Sequence, residues 1–283
     1  VTGVQTCALP ICLNAAIVSG GTINKTGAGA LQLGGWSMAT ITLNVNVGEL
    51  ILGPNTGTAA SNFKNTQINL NAANTILDMR GNTNMQIGSI VSSQTTSVIK
   101  NFSPTATGTL VTGSDALSGT FAGVLASDYS TGALNVTKIG TGTFTLSGVN
   151  TYSGTTTVSA GDLFLDNAAS LPGSATPGRF VVSTAATLGV TNNVSEASVA
   201  AMAGTGNFAV NSFLGFDTSL GSRTWTTPIA GSYGILKAGA NTLTVSSANT
   251  FSGNSQINAG ILAYGNTAAF GTGTVTFAAA SAV

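Results

Sequence analysis

The ionisable side chains of this sequence are few, and their types restrict the chemistry that the chain can perform. Among 283 residues there are eight Lys or Arg, eight Asp or Glu and no His. Without His, a Ser-His-Asp triad and a His-ligated zinc site are excluded. The groups left for acid–base chemistry are eight carboxylates: Glu49, Asp78, Asp115, Asp128, Asp162, Asp166, Glu196 and Asp217.

Two pairs of charged residues are close enough in sequence to act together. Asp162 and Asp166 flank one short apolar segment, and two facing carboxylates are what a glycosidase requires. Asp78 and Arg80 lie two residues apart, where they would pair on one face of a strand. We expect solvated turn residues in the first case and a modest surface ion pair in the second. No phosphate-binding loop or calcium-binding nonapeptide occurs, and no catalytic residue, metal or cofactor is predicted.

Three of the five lysines, Lys25, Lys138 and Lys237, recur at one position of an internal repeat. One interpretation makes them contacts for a ligand. The favoured interpretation is a solvated charge at a corner, which discourages sideways pairing of strands.

The repeat itself organises the chain. Val136–Asn167 recurs without a gap 99 residues later as Ile235–Asn266, and a looser copy begins at Ile23, so the predicted copies are 23–53, 136–167 and 235–266. Three ungapped copies indicate shared structure and not a shared site. The residues that define it are Lys25, Gly27, Lys138, Gly140, Leu146, Asn150, Tyr152, Gly154, Gly161, Leu163, Lys237, Gly239, Asn249, Phe251, Gly253, Gly260 and Leu262.

One copy contains three short strand patterns separated by corners. In "TFTL" the side chains of Phe144 and Leu146 alternate with Thr, which predicts a strand buried on one face. "TTTVSA" and "DLFL" give two more strands, and Gly and Asn between them supply sharp turns. About 20 residues then make one coil of a solenoid, so the chain would hold roughly thirteen coils. Such coils bury their apolar side chains by stacking on their neighbours.

Two further repeat positions have alternative interpretations. Tyr152 and Phe251 would act either as platforms for carbohydrate or as caps over the apolar interior of the coil. Asn150 and Asn249 are candidates for amide ladders with asparagines of other coils.

Composition agrees with a packed all-β chain. The apolar fraction is 43%, the charged fraction is 6%, and 37 glycines mark many tight turns. The net charge of zero gives no basic surface for nucleic acid. No apolar run is long enough for a transmembrane segment.

The first residues are predicted not to belong to the native protein. "VTGVQTCALPI", Val1–Ile11, resembles the translation of a sequencing adapter, so residues 1–12 are treated as an artefactual segment and 13–283 as the native domain. Both cysteines, Cys7 and Cys12, fall in this segment. The rest of the chain then relies on packing and not on disulfides.

The second copy, "TKIGTGTFTLSGVNTYSGTTTVSAGDLFL", resembles the passenger-associated repeat of bacterial autotransporters, the type V secreted proteins. The resemblance implies a right-handed single-stranded parallel β-helix, here a fragment truncated at both ends. It implies a location on the surface or outer membrane of a Gram-negative bacterium, or secretion. It also implies an outer-membrane translocator barrel as partner, in a C-terminal part beyond this sequence.

Three functions remain open from the sequence. The leading hypothesis is a structural and interaction segment, a stalk or adhesin-like passenger that is not an enzyme and meets a surface, glycan or protein through a flank or the loops Gly53–Asn65 and Ala168–Arg179. The second is a carbohydrate-active β-solenoid, a lyase or hydrolase, which needs charges such as Asp78 and Arg80 gathered on one face. The third, binding to ice through rows of Thr, needs a flat array across many adjacent coils.

Overall fold

The computed structural model describes residues 11–13, 20–33, 40–52, 62–128 and 132–278. Every strand pair among these residues is parallel, and the strands stack as a β-solenoid of about 11 turns. The predicted all-β parallel solenoid is therefore confirmed, while its right-handed sense stays a prediction. The estimate of thirteen coils was too high because several coils are longer than 20 residues.

The chain divides into two compact units, Val1–Thr156 and Thr157–Val283. The strands of the first unit are β1 Ile11–Leu13, β2 Thr22–Lys25, β3 Ala30–Leu33, β4 Ile41–Val45, β5 Glu49–Leu52, β6 Asn62–Leu70, β7 Ile76–Asp78, β8 Met85–Val91, β9 Val98–Asn101, β10 Gly108–Thr112, β11 Gly119–Phe121, β12 Val124–Ser127, β13 Leu134–Lys138 and β14 Thr143–Leu146. Strand β15, Thr156–Val158, lies across the boundary. The predicted artefactual segment 1–12 lies almost wholly outside the described residues and stays a prediction.

In the first unit the chain alternates between two parallel sheets, so that each early coil gives one strand to each. Sheet A has the order β1-β3-β5-β7-β9-β12, and sheet B contains β2, β4, β6, β8, β10 and β13 as successive neighbours. Strands β11 and β14 pair as part of a third side.

Equivalent positions of successive coils, occupied by Leu or Ile, stack inside this unit. Leu50 pairs in register with Leu77, Leu77 with Ile99, and Ile99 with Leu125, and all four side chains are buried. Stacking of like side chains at the strand spacing of about 4.8 Å buries each one against its neighbours. The interval from Leu50 to Leu77 is 27 residues, whereas that from Leu31 to Leu50 is 19, so loops absorb the variation in coil length.

The second unit contains the strands β16 Asp162–Leu165, β17 Phe180–Val182, β18 Thr187–Val190, β19 Phe213–Asp217, β20 Arg223–Trp225, β21 Gly234–Ala238, β22 Thr242–Val245, β23 Ser255–Ile257, β24 Ile261–Tyr264 and β25 Val275–Phe277, and a 3₁₀ turn at Ala168–Ser170. Its main sheet runs β16-β18-β19-β21-β23-β25, and a smaller sheet runs β20-β22-β24. Leu163, Leu188, Leu214 and Ile235 stack in its interior.

One helix interrupts this unit, α1 at Glu196–Ala203 between β18 and β19. Ser195 caps it, its Oγ accepting a hydrogen bond from the amide of Ser198 at 3.2 Å. Val199 and Met202 bury its inner face. No helix of the described residues is long and apolar enough to cross a membrane.

Candidate functional site

The repeat lysines lie inside the coils and not in solvent. Lys138 and Lys237 are 0% exposed and Lys25 is 7% exposed. Lys138 Nζ donates to the carbonyl oxygens of Ile139 at 2.7 Å and Gly140 at 2.9 Å. The favoured interpretation, a solvated corner charge, is therefore wrong, and a ligand contact is equally unsupported because these side chains have no access to solvent.

Two of the lysines also join their own corner to the next coil. Lys237 Nζ donates to the carbonyls of Ala238 and Gly239, both at 2.6 Å, and to Ala259 at 3.0 Å. Lys25 Nζ donates in the same way to Gly27 and, at 2.8 Å, to Val47. Both distant acceptors lie 22 residues after the lysine. The ammonium thus adds hydrogen bonds to carbonyl groups at the corner, of which Ala238 also accepts from the amide of Thr218 at 3.0 Å.

Burial has an electrostatic cost at these lysines. Loss of hydration lowers the pKa of Lys237, and the nearby charge of Asp217 opposes the shift. The pKa of Lys25 is lowered by burial in the same way, with Glu49 opposing. Desolvation disfavours a charged amine, so the carbonyl acceptors offset a penalty that a solvated lysine would not have.

Glycine at the corners is required for two separate reasons. Gly140 and Gly239 have φ of 68° and 77°, and Gly161 and Gly260 have φ of 62° and 70°, in the left-handed region that side chains disfavour. Gly154 does not need such a φ, but a Cβ there would lie 2.2 Å from the carbonyl oxygen of Leu134 in the neighbouring coil.

The corner asparagines Asn150 and Asn249 bond to main-chain groups of neighbouring coils. The Oδ1 atom of Asn150 accepts from the amide of Leu125 at 2.8 Å. The Oδ1 atom of Asn249 accepts from Ile229 at 2.7 Å, and its Nδ2 donates to the carbonyl of Ala269 at 2.5 Å. The latter side chain therefore bridges the preceding and the following coil.

The aromatic residues of the corner are buried, as the capping interpretation predicts. Tyr152 is 1% exposed and Phe251 is 0% exposed, so neither ring is available to stack on a sugar. The hydroxyl of Tyr152 shares a hydrogen bond of 2.6 Å with Thr156 Oγ1. Leu146 and Leu163 are buried too, while Leu262 is half-buried.

The rows of Thr proposed for ice do not extend as a flat array through the described coils. Thr145 pairs with Thr120, but Thr143 has Ser118 beside it, and Thr276 pairs with Gln256. The predicted loop Ala168–Arg179 forms turns through left-handed Gly173 and Gly178. Residues 53–61 of the other loop lie outside the described residues.

Charged residues gather on sheet A of the first unit. This charge cluster consists of Glu49, Asp78, Arg80, Lys100 and Asp128. Asp78 lies beside Lys100 in register, Arg80 Nε is 3.3 Å from Asp78 Oδ2, and Lys100 Nζ is 3.2 Å from Asp128 Oδ2. The predicted pair of Asp78 and Arg80 thus forms, but Asp78 is 1% exposed, so the pair is not the surface bridge expected.

Two carboxylates of the charge cluster, Glu49 and Asp78, have pKa values shifted in the same direction. Burial raises the pKa of Glu49, and the charge of Asp78 adds to the shift. Burial also raises the pKa of Asp78, although its Oδ1 accepts from the amides of Arg80 at 2.9 Å and Phe102 at 3.2 Å. Arg80 holds a left-handed φ of 46°, a conformation that these contacts stabilise.

The other suspected pair has a structural role at one of its members. Asp166 Oδ1 accepts from Thr191 Oγ1 at 2.5 Å and from Asn193 Nδ2 at 2.9 Å, which fixes the turn before α1. Across the residues that the structure describes, no three of His, Cys, Asp and Glu are arranged to hold a metal ion.

Sequence reasoning missed α1 and its attachment. Glu196 Oε1 accepts from the amide and hydroxyl of Thr226, at 2.7 and 2.8 Å, and from the amide of Thr227. Arg223 donates to the carbonyls of Thr191 at 3.0 Å and Val194 at 2.9 Å. Ser195 before an Ala-rich run was the signal for a helix start.

A comparison with known protein families matches the two segments that contain these corners. No curated protein and no solved structure matches the chain. Residues 136–163 and 235–263 match the passenger-associated-transport-repeat family. These two segments contain the corners built around Lys138 and Lys237, and this repeat family is associated with the autotransporter passengers that bacteria export to the cell surface or secrete.

Proposed function

We propose that the chain is a structural and interaction segment of a bacterial autotransporter passenger, exposed at the cell surface or secreted, that serves as a stalk or an adhesin-like surface. The observation that carries the proposal is the coincidence of both family matches with the corners that join one coil to the next. Its partner in export is an outer-membrane translocator barrel.

The geometry of the corner gives this role a mechanism. Main-chain carbonyls, a buried ammonium and a bridging amide are all paired between successive coils of the second unit. Each folded coil therefore presents a template on which the next one forms, as in other solenoids. A chain that folds coil by coil can leave a pore unfolded and gain its structure outside.

An export assay on intact bacterial cells tests the proposal. The chain is placed between a secretion signal and the translocator barrel of a known autotransporter in a Gram-negative bacterium, and its exposure is read from cleavage by external protease on intact cells. We expect the unaltered chain to reach the surface. Gly154→Ala combined with Gly253→Ala, which blocks the contact between coils at both matched corners, should reduce the exposed fraction severalfold.

The matched control is Gly204→Ala, since a Cβ at that position meets its nearest atom at 3.4 Å. It should be exported like the unaltered chain. Retention of the unaltered chain inside the cell, or equal export of all three forms, would contradict the proposal.

A carbohydrate-active enzyme is the second candidate, and the charge cluster is the observation that favours it. Glu49 and Asp78 lie on adjacent strands with raised pKa values, and clusters of perturbed groups are typical of catalytic sites. Incubation with neutral and acidic polysaccharides, followed by assay of new reducing ends, tests it. Product formed by the unaltered chain and lost in Glu49→Gln would support this candidate over the first.

A further inference from the structure

The outer surface of sheet B in the first unit is an ordered array of uncharged polar side chains. We call it the polar face, and it consists of Thr22, Asn24, Thr42, Asn44, Gln67 and Asn69. The register places Thr22 beside Thr42 and Thr42 beside Gln67, with the three asparagines forming a second row. The array therefore repeats about every 4.8 Å across the strands and about every 6.7 Å along them.

The asparagine row is held in place by its own hydrogen bonds. Asn44 Nδ2 donates to Asn24 Oδ1, and Asn69 Nδ2 donates to Asn44 Oδ1, each at 2.8 Å. A parallel step joins Asn71 to Asn46 at 2.9 Å. An amide ladder was predicted for Asn150 and Asn249, and it forms here between other asparagines. Side chains that are already ordered lose less conformational entropy when a ligand binds.

A groove of about 720 Å³ lies against the first row. Thr22, Thr42 and Gln67 line it, and Asp115 and Leu117 line it from the loop that follows β10. Strand β6 shifts register between Phe63 and Gln67, and the resulting bulge brings Asn65 to the lining. The volume falls within the range of roughly 300–1,000 Å³ that is usual for ligand sites.

The side chains in the floor of this groove are free to bind. Thr22, Thr42 and Gln67 make no side-chain hydrogen bond to any residue that the structure describes. Hydroxyl and amide groups both donate and accept, so they match a ligand that does the same. Leu117, which is 52% exposed, adds one apolar surface at the side.

Other classes of ligand fit these observations less well. A peptide that adds a strand would pair with β2, which ends sheet B, and would not cover Thr42 or Gln67, because β4 and β6 are each paired on both sides. A strongly charged ligand would find no net counter-charge, since the lining has one carboxylate, Asp115, and the bulge has one ammonium, Lys64. An apolar partner would bury free hydroxyls and amides without replacing their bonds to water.

We propose that the polar face and its groove bind an uncharged, extended polysaccharide that lies across the strands, with successive sugars meeting successive coils. The repeat of the two rows matches a polymer of hydroxyl-rich units better than a single small molecule. The inference rests on the proposed function, because only an exported chain meets such polymers outside the cell.

Titration of the purified 283-residue chain with defined oligosaccharides tests this site. The probes are the hexasaccharides of β-1,4-linked glucose and of β-1,4-linked N-acetylglucosamine, with a heparin hexasaccharide as the charged counterpart, and binding is measured by calorimetry. We expect at least one uncharged hexasaccharide to bind and heparin not to. Thr42→Val with Gln67→Leu, which removes hydrogen bonding but keeps side-chain size, should weaken binding at least tenfold.

The matched control is Thr242→Val with Thr244→Val, which alters two partly exposed threonines on β22 of the second unit. It should bind like the unaltered chain. Circular dichroism establishes that both variants fold. If the first does not, amide chemical shifts of the unaltered chain with the bound hexasaccharide must change on β2, β4 and β6 and not on β22.

Three results would overturn the proposal: no binding of either uncharged hexasaccharide, equal loss of affinity in both double variants, or preferential binding of heparin. None of these bears on export, because the titration uses purified protein while export is read from protease cleavage on cells. Failure of the site and failure of the proposed function are thus separate results.

Discussion

At the scale of single residues, the buried lysines show how a charge becomes part of a core. A buried ammonium costs free energy unless it is hydrogen-bonded. Lys237 meets three carbonyl oxygens, two from its own corner and one from the next coil. Its long apolar stem allows it to occupy an inward strand position, on the same face as buried Ile235, and still reach them.

Lys237→Met tests this role. Methionine keeps the apolar stem but removes the donor to Gly239 and Ala259, while the carbonyl of Ala238 keeps the amide of Thr218 as a donor. We expect the free energy of unfolding to fall by about 1–3 kcal/mol, the usual cost of leaving a buried polar group unpaired. Denaturation in urea, followed by circular dichroism, measures the change.

Lys64→Met is the control, because Lys64 is exposed. It should change stability by less than about 0.5 kcal/mol, as surface substitutions usually do. Equal stability of the Lys237 variant and the unaltered chain would mean that the carbonyls find other donors.

At the scale of elements, strand positions were readable from sequence and corner contacts were not. The patterns TFTL, TTTV and DLFL became β14, β15 and β16, since alternation reports directly which side chains face the core. Lys138 ends a strand in which Leu134 and Val136 point inward, so its pattern did indicate burial. The prediction of a solvated lysine is wrong because a charge does not by itself imply exposure, and the accepting carbonyls come together only when the corner is folded.

The polar face and α1 could not be predicted from the sequence for a different reason. The register that aligns Asn24, Asn44 and Asn69 joins residues 20 to 25 positions apart, across loops of unequal length. The bulge in β6 and the attachment of α1 through Glu196 likewise depend on contacts between distant segments. No local pattern in the sequence sets these distances.

Gly154→Ala tests the close approach of coils at one corner. A Cβ at this position would lie 2.2 Å from the carbonyl oxygen of Leu134, and backbone atoms cannot yield as a flexible side chain can. We expect a loss of about 3 kcal/mol or more in the free energy of unfolding. Thermal denaturation of the isolated chain measures it.

Gly204→Ala provides the comparison, because Gly204 has a helical φ of −74° at the end of α1. Its stability should equal or slightly exceed that of the unaltered chain. A Gly154 variant as stable as this one would show that the coils can separate without cost.

At the scale of the whole molecule, sixteen charged residues among 283 mean that the pH dependence of stability comes from few groups. Two of them respond to pH in opposite directions. Burial raises the pKa of Glu49 above 4.5. For Glu196, burial acts to raise the pKa, but the hydrogen bonds from Thr227 and Thr226 outweigh it and lower the pKa below 4.5.

These shifts predict that Glu49→Gln and Glu196→Gln change the pH dependence of stability in opposite directions. A raised pKa means that the contribution of Glu49 to stability is full below pH 4.5 and is lost as pH rises through its folded pKa. Glu49→Gln should therefore melt a few degrees higher than the unaltered chain at pH 7 and show no such advantage at pH 4. The contribution of Glu196 is present above pH 4.5 and is lost as pH falls through its folded pKa, so Glu196→Gln should melt lower at pH 7 and approach the unaltered chain in acid.

Melting temperatures by calorimetry between pH 3 and pH 8 measure both variants. Shifts of the same sign in the two variants at pH 7 would contradict the assigned environments.

The lysine contact gives the solenoid a polarity. Lys25 and Lys237 each reach an acceptor that lies 22 residues toward the C-terminus. A coil added on that side completes the ammonium of the coil before it but leaves its own ammonium incomplete, whereas a coil added on the other side brings an ammonium whose acceptor is already in place. The incomplete ammonium of a partly folded stack therefore always lies at its C-terminal end, and we expect partly folded chains to be most labile at the last lysine whose following coil has not yet docked.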